Sequence, residues 1–341
     1  MKKTFFLLNL LFLGLLASAQ SSFELIEKVE PADGKVIIPY EKYNLPNNDL
    51  TLIIHQDHSD PIVHVQVAYH VGSARESIRN SGFAHFFEHM MFEGSQNVKE
   101  GEHFKIIGES GGINNAYTAF DKTVYHQTAP KNMTETLLWL EADRMGTHIE
   151  SFTQKQFENQ RSTVKNEKRQ RYDNQPYGMV SEILFKSMFS NHPYEWKPIG
   201  YVDDLDIASY EDLKNFFLRW YGPNNATLVV SGDVNPEEVK VWAEKYFGSI
   251  KKCPEVKNMY PKKPVLSMDY YVNTVDEIYA PLTLFAFPTV PEFHKDEAAL
   301  EILGEILGGG NSSILYQNLV KTEEAFEASA GHSTLELAGM M

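Results

Sequence analysis

The 341-residue sequence predicts an α+β fold: a mixed, mostly antiparallel sheet with helices packed on it. Strand-like and helix-like stretches occur along the chain, but hairpins and paired helices replace the strict alternation of a doubly wound parallel sheet. A lysine- and proline-rich stretch at 251–264 separates two parts, and a strand–loop–helix plan found before it recurs after it. We therefore expect a complete first domain followed by an incomplete second copy of the same domain.

Stretches in which β-branched and apolar residues alternate predict the strands of the first domain. They are residues 35–39, 50–56, 62–71, 115–128 and 226–230. Helical patterns with start and stop signals predict the helices. They are residues 82–92, 102–109, 133–148, 153–172, 178–188, 210–220 and 236–247. In the second domain, the repeated plan predicts a strand at 282–287 and a helix at 297–307 that ends at three glycines.

Residues 1–19 predict a secretory signal peptide. Lys2 and Lys3 give a basic start, residues 5–16 form a short apolar run, and small residues precede a cleavage point after Ala19. The run is too short to span a bilayer comfortably, and no cysteine follows it for lipid attachment. We therefore expect an exported protein, periplasmic or else secreted, with no stable membrane insertion after the leader is removed.

The net charge and the number of cysteines argue against several kinds of partner and site. With 46 acidic and 31 basic residues, the formal net charge is −15. An acidic surface repels phosphate backbones, which argues against a nucleic-acid partner. Cys253 is the single cysteine, so the chain can form neither an intrachain disulfide nor a cysteine-based zinc site. Histidines and carboxylates would have to hold any metal.

The segment from His85 to His89, HFFEH, carries the strongest chemical signal. On a helix, residues four positions apart lie on one face, so His85 and His89 can direct both imidazoles at one ion. Glu88 lies on nearly the same face and can act beside the ion as a general base. The order H-x-x-E-H is the inverzincin signature of zinc peptidases. In catalytic zinc sites, two histidines and a carboxylate leave a fourth position for water.

Two surface histidines at this spacing also arise by chance, but aromatic residues occupy several faces of this helix. Such a helix is buried, and buried imidazoles and carboxylates need partners, which a metal supplies. Spacing does not choose the third ligand, because ligands from separate elements keep no fixed sequence distance. Four acidic residues of the two long helices are open candidates: Glu141, Asp143, Glu158 and Glu167.

Four stretches of the chain are HFFEHMMFEGS at 85–95, GGINNAYTAFDKTVYH at 111–126, VKNEKRQRYDNQPYG at 164–178 and SGDVNPEEV at 231–239. Together they resemble the pitrilysin/insulinase family of zinc metallopeptidases, peptidase family M16. The resemblance runs from about residue 50 through the linker and, more weakly, to the C-terminus. It implies an exported bacterial member with an M16-like catalytic domain at 20–250, a linker at 251–264, and a partial, non-catalytic M16-like domain at 265–341.

The resemblance also implies roles for the residues of the metal motif. Carried over by position, Glu167 is the third ligand of one Zn²⁺ ion in the catalytic domain, beside His85 and His89. Glu88 is the general base that takes a proton from the attacking water.

The same resemblance implies a substrate strand and shows departures from the family pattern. Asn115 and Ala116 occupy the edge strand that, in the family, adds an extended substrate to the sheet by main-chain hydrogen bonds. Gln160 stands where many members have a glutamate. Val320 and Glu327 stand where the second domain usually places an Arg and a Tyr that reach the active site. That pair would then come from another chain or a later repeat, and we expect the chain to continue beyond residue 341.

The leading prediction is a zinc endopeptidase that hydrolyses peptides or small unfolded proteins. The alternative is a catalytically silent family member that serves as a binding or assembly partner, which the missing Arg and Tyr favour and the complete ligand set disfavours. Removal of leader peptides is a third possibility that the sequence does not separate from general peptide degradation. Expected partners are such substrates and a homodimer, a heterodimer or a further M16-like repeat.

Overall fold

The computed structural model describes residues 21–31, 34 and 37–341. The predicted signal peptide lies outside the described residues, as do residues 35 and 36 of the first predicted strand. Residues 37–39 are irregular, and a strand begins at Tyr40 instead. Pro39 has no N–H to donate to a strand ladder, which accounts for this boundary.

A seven-stranded sheet of the described residues forms the centre of the N-terminal region. Its strands are β1 (Glu24–Val29), β2 (Tyr40–Leu45), β3 (Leu50–Gln56), β4 (Ile62–Tyr69), β5 (Ile113–Thr118), β6 (Thr123–Pro130) and β7 (Ala226–Gly232). They lie in the order β1-β2-β3-β7-β4-β6-β5. The β3–β7 pair is parallel and the other neighbours are antiparallel. The predicted fold class is therefore confirmed.

Strands β5 and β6 form a hairpin where the sequence predicted one strand at 115–128. The chain reverses over residues 119–122, and the N–H of Ala119 donates to the carbonyl of Lys122 at 2.8 Å. The turn contains few of the polar residues that usually indicate a chain reversal, and strand-forming residues lie on both sides of it. The sequence therefore did not reveal the turn. As a result, β5 is an edge strand of the sheet.

Side chains alternate between the two faces of the sheet. On β4, Val63, Val65 and Val67 are fully buried, whereas His64 and Gln66 between them are half-buried. The buried face carries the helices and the main hydrophobic core. This period-two pattern is typical of an antiparallel sheet that packs on one side.

The helices of the N-terminal region contribute to the main core on the buried face, except that the buried residues of Val180–Met188 belong to a second, smaller cluster. They are α1 (Phe83–Met90), α2 (Glu102–Glu109), α3 (Thr134–Ser151), α4 (Gln154–Lys168), α5 (Val180–Met188), α6 (Val202–Ile207), α7 (Tyr210–Trp220) and α8 (Pro236–Phe247). Helix α6 is too short to give a periodic signal and was not predicted. The helix predicted at 153–172 ends at Lys168 and continues as a wider π-type turn, Arg169–Asp173.

Helix α4 begins at a capping box. The N–H of Gln156 donates to Thr153 Oγ1 at 3.3 Å, and the N–H of Thr153 donates to Gln156 Oε1 at 2.8 Å. Together these bonds satisfy backbone donors that a helix start leaves unpaired. The start of α4 is thereby fixed, and its last turn carries Glu167.

The C-terminal region, residues 251–341, has little regular structure. Among its described residues it contains helix α9 (Glu297–Gly308) and the short strands β8 (Pro288–Thr289), β9 (Ser333–Thr334) and β10 (Gly339–Met340). The predicted strand at 282–287 does not form. Only its last residue, Phe287, makes strand-like hydrogen bonds: its N–H donates to the carbonyl of Met341 at 3.0 Å, and the N–H of Met341 donates to its carbonyl at 3.0 Å. A strand needs a neighbour to satisfy its backbone, and no described strand lies beside the rest of this segment.

The C-terminal region contacts the N-terminal region at the turn between β5 and β6. Asp121 in this turn accepts hydrogen bonds from the Tyr194 hydroxyl at 2.8 Å and from the N–H of Glu336 at 3.2 Å. The Glu336 carboxylate also lies 2.6 Å from His70 Nε2. The N–H of Leu337 donates to the Tyr194 hydroxyl oxygen at 2.8 Å. A small polar cluster thus joins the two regions.

Candidate metal centre

Aromatic packing fixes the orientation of helix α1. Phe86 stacks on Phe157 of α4 with ring centroids 5.1 Å apart, and Phe87 stacks on Phe217 of α7 at 4.8 Å. Both α1 rings are fully buried. Large rings held in offset stacks leave a helix little freedom to rotate. The side of α1 that carries the two histidines and their glutamate therefore faces α4 and β5.

Two histidines of α1 and one glutamate of α4 converge on one point. His89 Nε2 lies 3.1 Å from Glu167 Oε2, and His85 Nε2 lies 3.7 Å from the same oxygen. The imidazole centroids are 4.8 Å apart, with the rings nearly perpendicular at 80°. One potential ligand atom from each of the three residues lies within 4.8 Å of the other two. The structure thus brings the predicted ligands together.

The other acidic residues that spacing left open are engaged elsewhere. Glu141 forms a buried ion pair with Arg144. Asp143 accepts hydrogen bonds from side chains of the loop at 95–97. Glu158 is exposed near the start of α4. Of the four candidates, Glu167 is the one beside the histidines.

The charges in this cluster suit a metal ion. Burial lowers the pKa of His85 to about 4, which keeps its imidazole in the neutral form that binds metals. Burial also lowers the pKa of His89, but its hydrogen bond to Glu167 and the charge of Glu167 outweigh this and raise the pKa overall. The same hydrogen bond lowers the pKa of Glu167. His89 and Glu167 therefore stabilise each other's charged forms at the point where a cation would contact both.

The donor set fits zinc. Two imidazole nitrogens and a carboxylate oxygen form a ligand set found in catalytic zinc sites, which keep a further position for water or substrate. Arg171, one helical turn after Glu167, lies 2.8 Å from Glu167 Oε1 and leaves Oε2 to face the histidines. His85 Nδ1 is buried with no hydrogen-bond partner among the described residues. The position of that ring therefore depends on what its Nε2 contacts.

Glu88 lies beside the ligand cluster and not in it. Thr118, the last residue of β5, donates from Oγ1 to Glu88 Oε2 at 2.5 Å. Burial raises the pKa of Glu88, and this hydrogen bond partly opposes the rise. A raised pKa makes a carboxylate a better proton acceptor near neutral pH. Sequence reasoning missed Thr118, because the two residues lie on separate elements and share no spacing.

Gln160 lies on α4 near the candidate ligands. Its amide donates to Glu93 Oε1 at 2.6 Å. The Gln160 side chain is also among the influences that raise the pKa of His89. A neutral amide therefore stands where the resemblance implies a carboxylate.

Asn115 and Ala116 lie on the edge strand β5. Asn115 is exposed, and its Oδ1 accepts the N–H of Ala116 at 2.9 Å. On the inner side they pair with His126 and Tyr125 of β6. Their role in substrate binding stays a prediction.

Two family models match consecutive parts of the chain. Residues 51–199 match insulinase (peptidase family M16), and this segment contains the whole cluster described above. Residues 208–341 match the peptidase M16 inactive domain. The chain belongs to peptidase family M16. The predicted family is thus confirmed.

Relatives of this M16 chain bear zinc-protease names. It is 34% identical to zinc protease PqqE of Helicobacter pylori over 301 residues, covering 86% of this chain and 66% of the relative. It is 30% identical to the probable zinc protease PqqL of Escherichia coli over 237 residues, covering 67% of this chain and 25% of that protein. The chain therefore spans just under two thirds of the length of the first relative. These names imply a zinc-dependent metallopeptidase family.

Solved structures show the same fold. A protease from Helicobacter pylori superposes with a TM-score of 0.75 at 29% identity, covering 89% of this M16 chain and 74% of that chain. Pitrilysin superposes with a TM-score of 0.72 at 18% identity, covering 94% of this chain and 35% of that chain, and this likeness concerns the fold alone. The domain boundaries at 20–250 and 265–341 and the roles of individual site residues stay predictions.

Proposed function

We propose that this chain carries the catalytic part of a zinc-dependent endopeptidase that hydrolyses peptides or small unfolded proteins. The observation that supports this most directly is the convergence of His85, His89 and Glu167, with Glu88 next to them. The cluster lies in the segment that matches the insulinase family model. In this proposal, one Zn²⁺ ion binds per catalytic domain.

The three ligands would hold the ion through His85 Nε2, His89 Nε2 and Glu167 Oε2. Zinc bound there would supply Lewis acidity and make a water molecule acidic enough to lose its proton near neutral pH. Arg171 orients Glu167 through the other carboxylate oxygen. The aromatic packing of α1 keeps the imidazoles in place.

Glu88 would act as the general base. Its Oε2 accepts the hydrogen bond from Thr118, which leaves Oε1 as the atom that receives a proton from water and passes it to the leaving amine. Burial raises the pKa of Glu88 and brings it closer to the pH at which such a transfer is efficient.

Strand β5 would bind the substrate backbone. It is an edge of the sheet, and its last residue contacts Glu88. An extended peptide added along Asn115 and Ala116 would thus run past the proposed base. Because main-chain hydrogen bonds depend little on the side chains of the substrate, this mode of binding would accept peptides of varied sequence.

We propose export to the periplasm. The N-terminal sequence predicts a signal peptide, and one solved structure with the same fold is that of PqqL, a periplasmic protease from Escherichia coli. No helix in the part of the chain that the structure describes has the length and apolarity needed to cross a bilayer.

A catalytically silent subunit is the second candidate. The match of residues 208–341 to an inactive M16 domain favours it. So does the C-terminal region itself, where the aliphatic Val320 and the exposed, acidic Glu327 replace the expected Arg and Tyr. A homodimer, a heterodimer or a further M16-like repeat would then supply those groups.

The test combines zinc content with turnover of a quenched-fluorescent peptide library by the full chain. We expect one zinc per chain and peptide cleavage. Glu88→Gln should keep the zinc and lose about 10²- to 10⁴-fold in kcat, because the base is gone and the ligands remain. Glu158→Gln, on the same helix as Glu167 but exposed, is the matched control and should keep both properties. Full zinc occupancy without cleavage by the wild type would favour the silent subunit, and absence of zinc would refute both the site and the reaction.

A further inference from the structure

A carboxylate from outside helix α1 holds the helix start. Gly82 occupies the N-cap position and has no side chain to accept a backbone hydrogen bond. The Glu76 carboxylate accepts these hydrogen bonds instead. The N–H of Gly82 donates to its Oε2 and the N–H of Ala84 donates to its Oε1, each at 2.8 Å. Helix starts leave N–H groups unpaired and carry partial positive charge, so a carboxylate is well placed there.

The same carboxylate ties α1 to a distant segment. Trp196, a buried residue, donates from Nε1 to Glu76 Oε2 at 2.9 Å. Burial raises the pKa of Glu76, and the three N–H donors, which favour the ionised carboxylate, act in the opposite direction. Burying a carboxyl group is costly unless the group is well bonded, and here N–H donors from three residues reach its two oxygens.

Close backbone contact reinforces this tie. Gly82 has φ 86° and Gly200 has φ 69°, and a Cβ added to Gly200 would lie 2.5 Å from Gly82 Cα. Ser81 Oγ accepts the N–H of Tyr201 at 2.9 Å, and the N–H of Ser81 donates to Asp204 at 3.2 Å. The residues before α1 therefore have little freedom to shift along or across the helix axis.

We propose that Glu76 is a positioning residue of the metal centre. It fixes the axial position of α1, so that His85, in the first turn, and His89, one turn later, both reach Glu167 on α4. Without this carboxylate, the short helix would be held mainly by its aromatic side, and the spacing between its imidazoles and α4 would loosen. The inference rests on the proposed function in one respect, namely that the three ligands bind zinc.

The test is zinc affinity, measured on the full chain by competition with a chromophoric chelator, together with the absorption spectrum of the cobalt(II)-loaded protein. We expect Glu76→Gln to weaken zinc binding by about 10- to 100-fold, the usual effect of losing a group that supports a ligand. We also expect it to change the cobalt spectrum, and Glu76→Asp should recover part of both. Asn235→Ala is the matched control, because it removes a cap from α8, away from the site. It should lower the unfolding temperature and leave zinc affinity and spectrum unchanged.

The outcomes separate the two proposals. If the wild type binds no zinc, the proposed function fails, whatever Glu76 does. If the wild type binds zinc and folded Glu76→Gln binds it equally well with the same cobalt spectrum, Glu76 only stabilises the fold and the inference is wrong. Should Glu76→Gln not fold, Trp196→Phe removes a single donor and keeps the packing. That variant should weaken zinc binding by a few fold, and unchanged affinity would overturn the inference.

Discussion

Helix α1 in the N-terminal region and helix α9 in the C-terminal region follow similar sequence plans but have different surroundings. Each comes after a strand-like stretch and a loop, and each is rich in apolar residues. In α1, five of the eight residues are buried. In α9, Gly304 is the one buried residue, and Ile302 and Ile306 are 60% and 54% exposed.

The difference lies in what covers each helix. Helix α1 is enclosed by β5, β6, α4 and α7. Helix α9 is crossed at Gly304 and Gly308 by the backbone of residues 329–332, which leaves no room for a Cβ at Gly308 and little room for one at Gly304. An apolar helix pattern therefore shows which side chains can be buried, and other elements decide whether they are. Both candidate histidine ligands lie on the enclosed helix.

The largest expected effect comes from removing a ligand of the enclosed region. Glu167→Gln should weaken zinc binding by at least about 100-fold, because a loss at the ion itself exceeds the usual effect of a supporting group. Equilibrium dialysis against a zinc buffer would measure it. Glu301→Gln, on the exposed surface of α9, should have no effect on zinc binding. Unchanged zinc binding in Glu167→Gln would mean that the ion binds elsewhere.

Truncating one phenylalanine in each region tests the difference in packing. Phe87→Ala should lower the free energy of unfolding by about 3–5 kcal/mol, because the ring is fully buried, stacks on Phe217 and packs at a tilt against Tyr221. Phe326→Ala should change it by no more than about 0.5 kcal/mol, because that ring is 91% exposed. Urea denaturation of the metal-free protein gives both values. Comparable destabilisation would show that the C-terminal region is covered in solution.

Acid should destabilise the N-terminal region through two buried histidines. Burial lowers the pKa of His148 to about 4 and that of His103 to about 3. Between those values and the ordinary pKa of about 6.5, the unfolded chain binds protons that the folded chain does not, so stability falls as pH falls. At pH 5 the loss should be about 2 kcal/mol for each imidazole relative to pH 7.5. Denaturation of the metal-free protein at both pH values measures it, and His148→Gln should flatten the dependence; an unchanged slope would contradict this assignment.

The smallest expected effect concerns the contact between the two regions. Glu336→Gln removes the charge that faces His70, and both side chains are about a third exposed or more, so the change in stability should stay below about 1 kcal/mol. The effect should be local: amide hydrogen exchange of residues 333–341 should become faster, and that of α1 should stay the same. Glu324→Gln, on the exposed surface of the same region, is the control. Faster exchange in α1 would mean that the polar cluster also supports the metal centre.

Local patterns in the sequence predicted the parts of the site that share one helix. The spacing of His85 and His89 implied a common face, and the aromatic content of α1 implied burial; both features are present in the structure. The third ligand could not be chosen in this way, because α4 meets α1 only through tertiary packing. Thr118 and Glu76 were missed for the same reason.

Elements whose existence depends on a neighbour were predicted less well. The stretch at 282–287 has a strand-like composition, but composition does not provide a pairing partner. The stretch at 115–128 reads as one strand, because its two halves are both strand-forming and the turn between them is short. Helix α6 is stabilised by its contacts with α4 and has no periodic signal of its own.

The place of β7 in the sheet has a consequence for the order in which the protein assembles. Strand β7 pairs with both β3 and β4, yet about 95 residues separate it from the end of β6. Until residues 226–232 have been synthesised, the sheet can exist only as two unjoined antiparallel pieces. The β4-β6-β5 piece can form its local β5–β6 hairpin early, whereas its junction with β3 requires a very long loop to close, a slow step for any chain. The folding rate of this region should therefore be governed by its central strand.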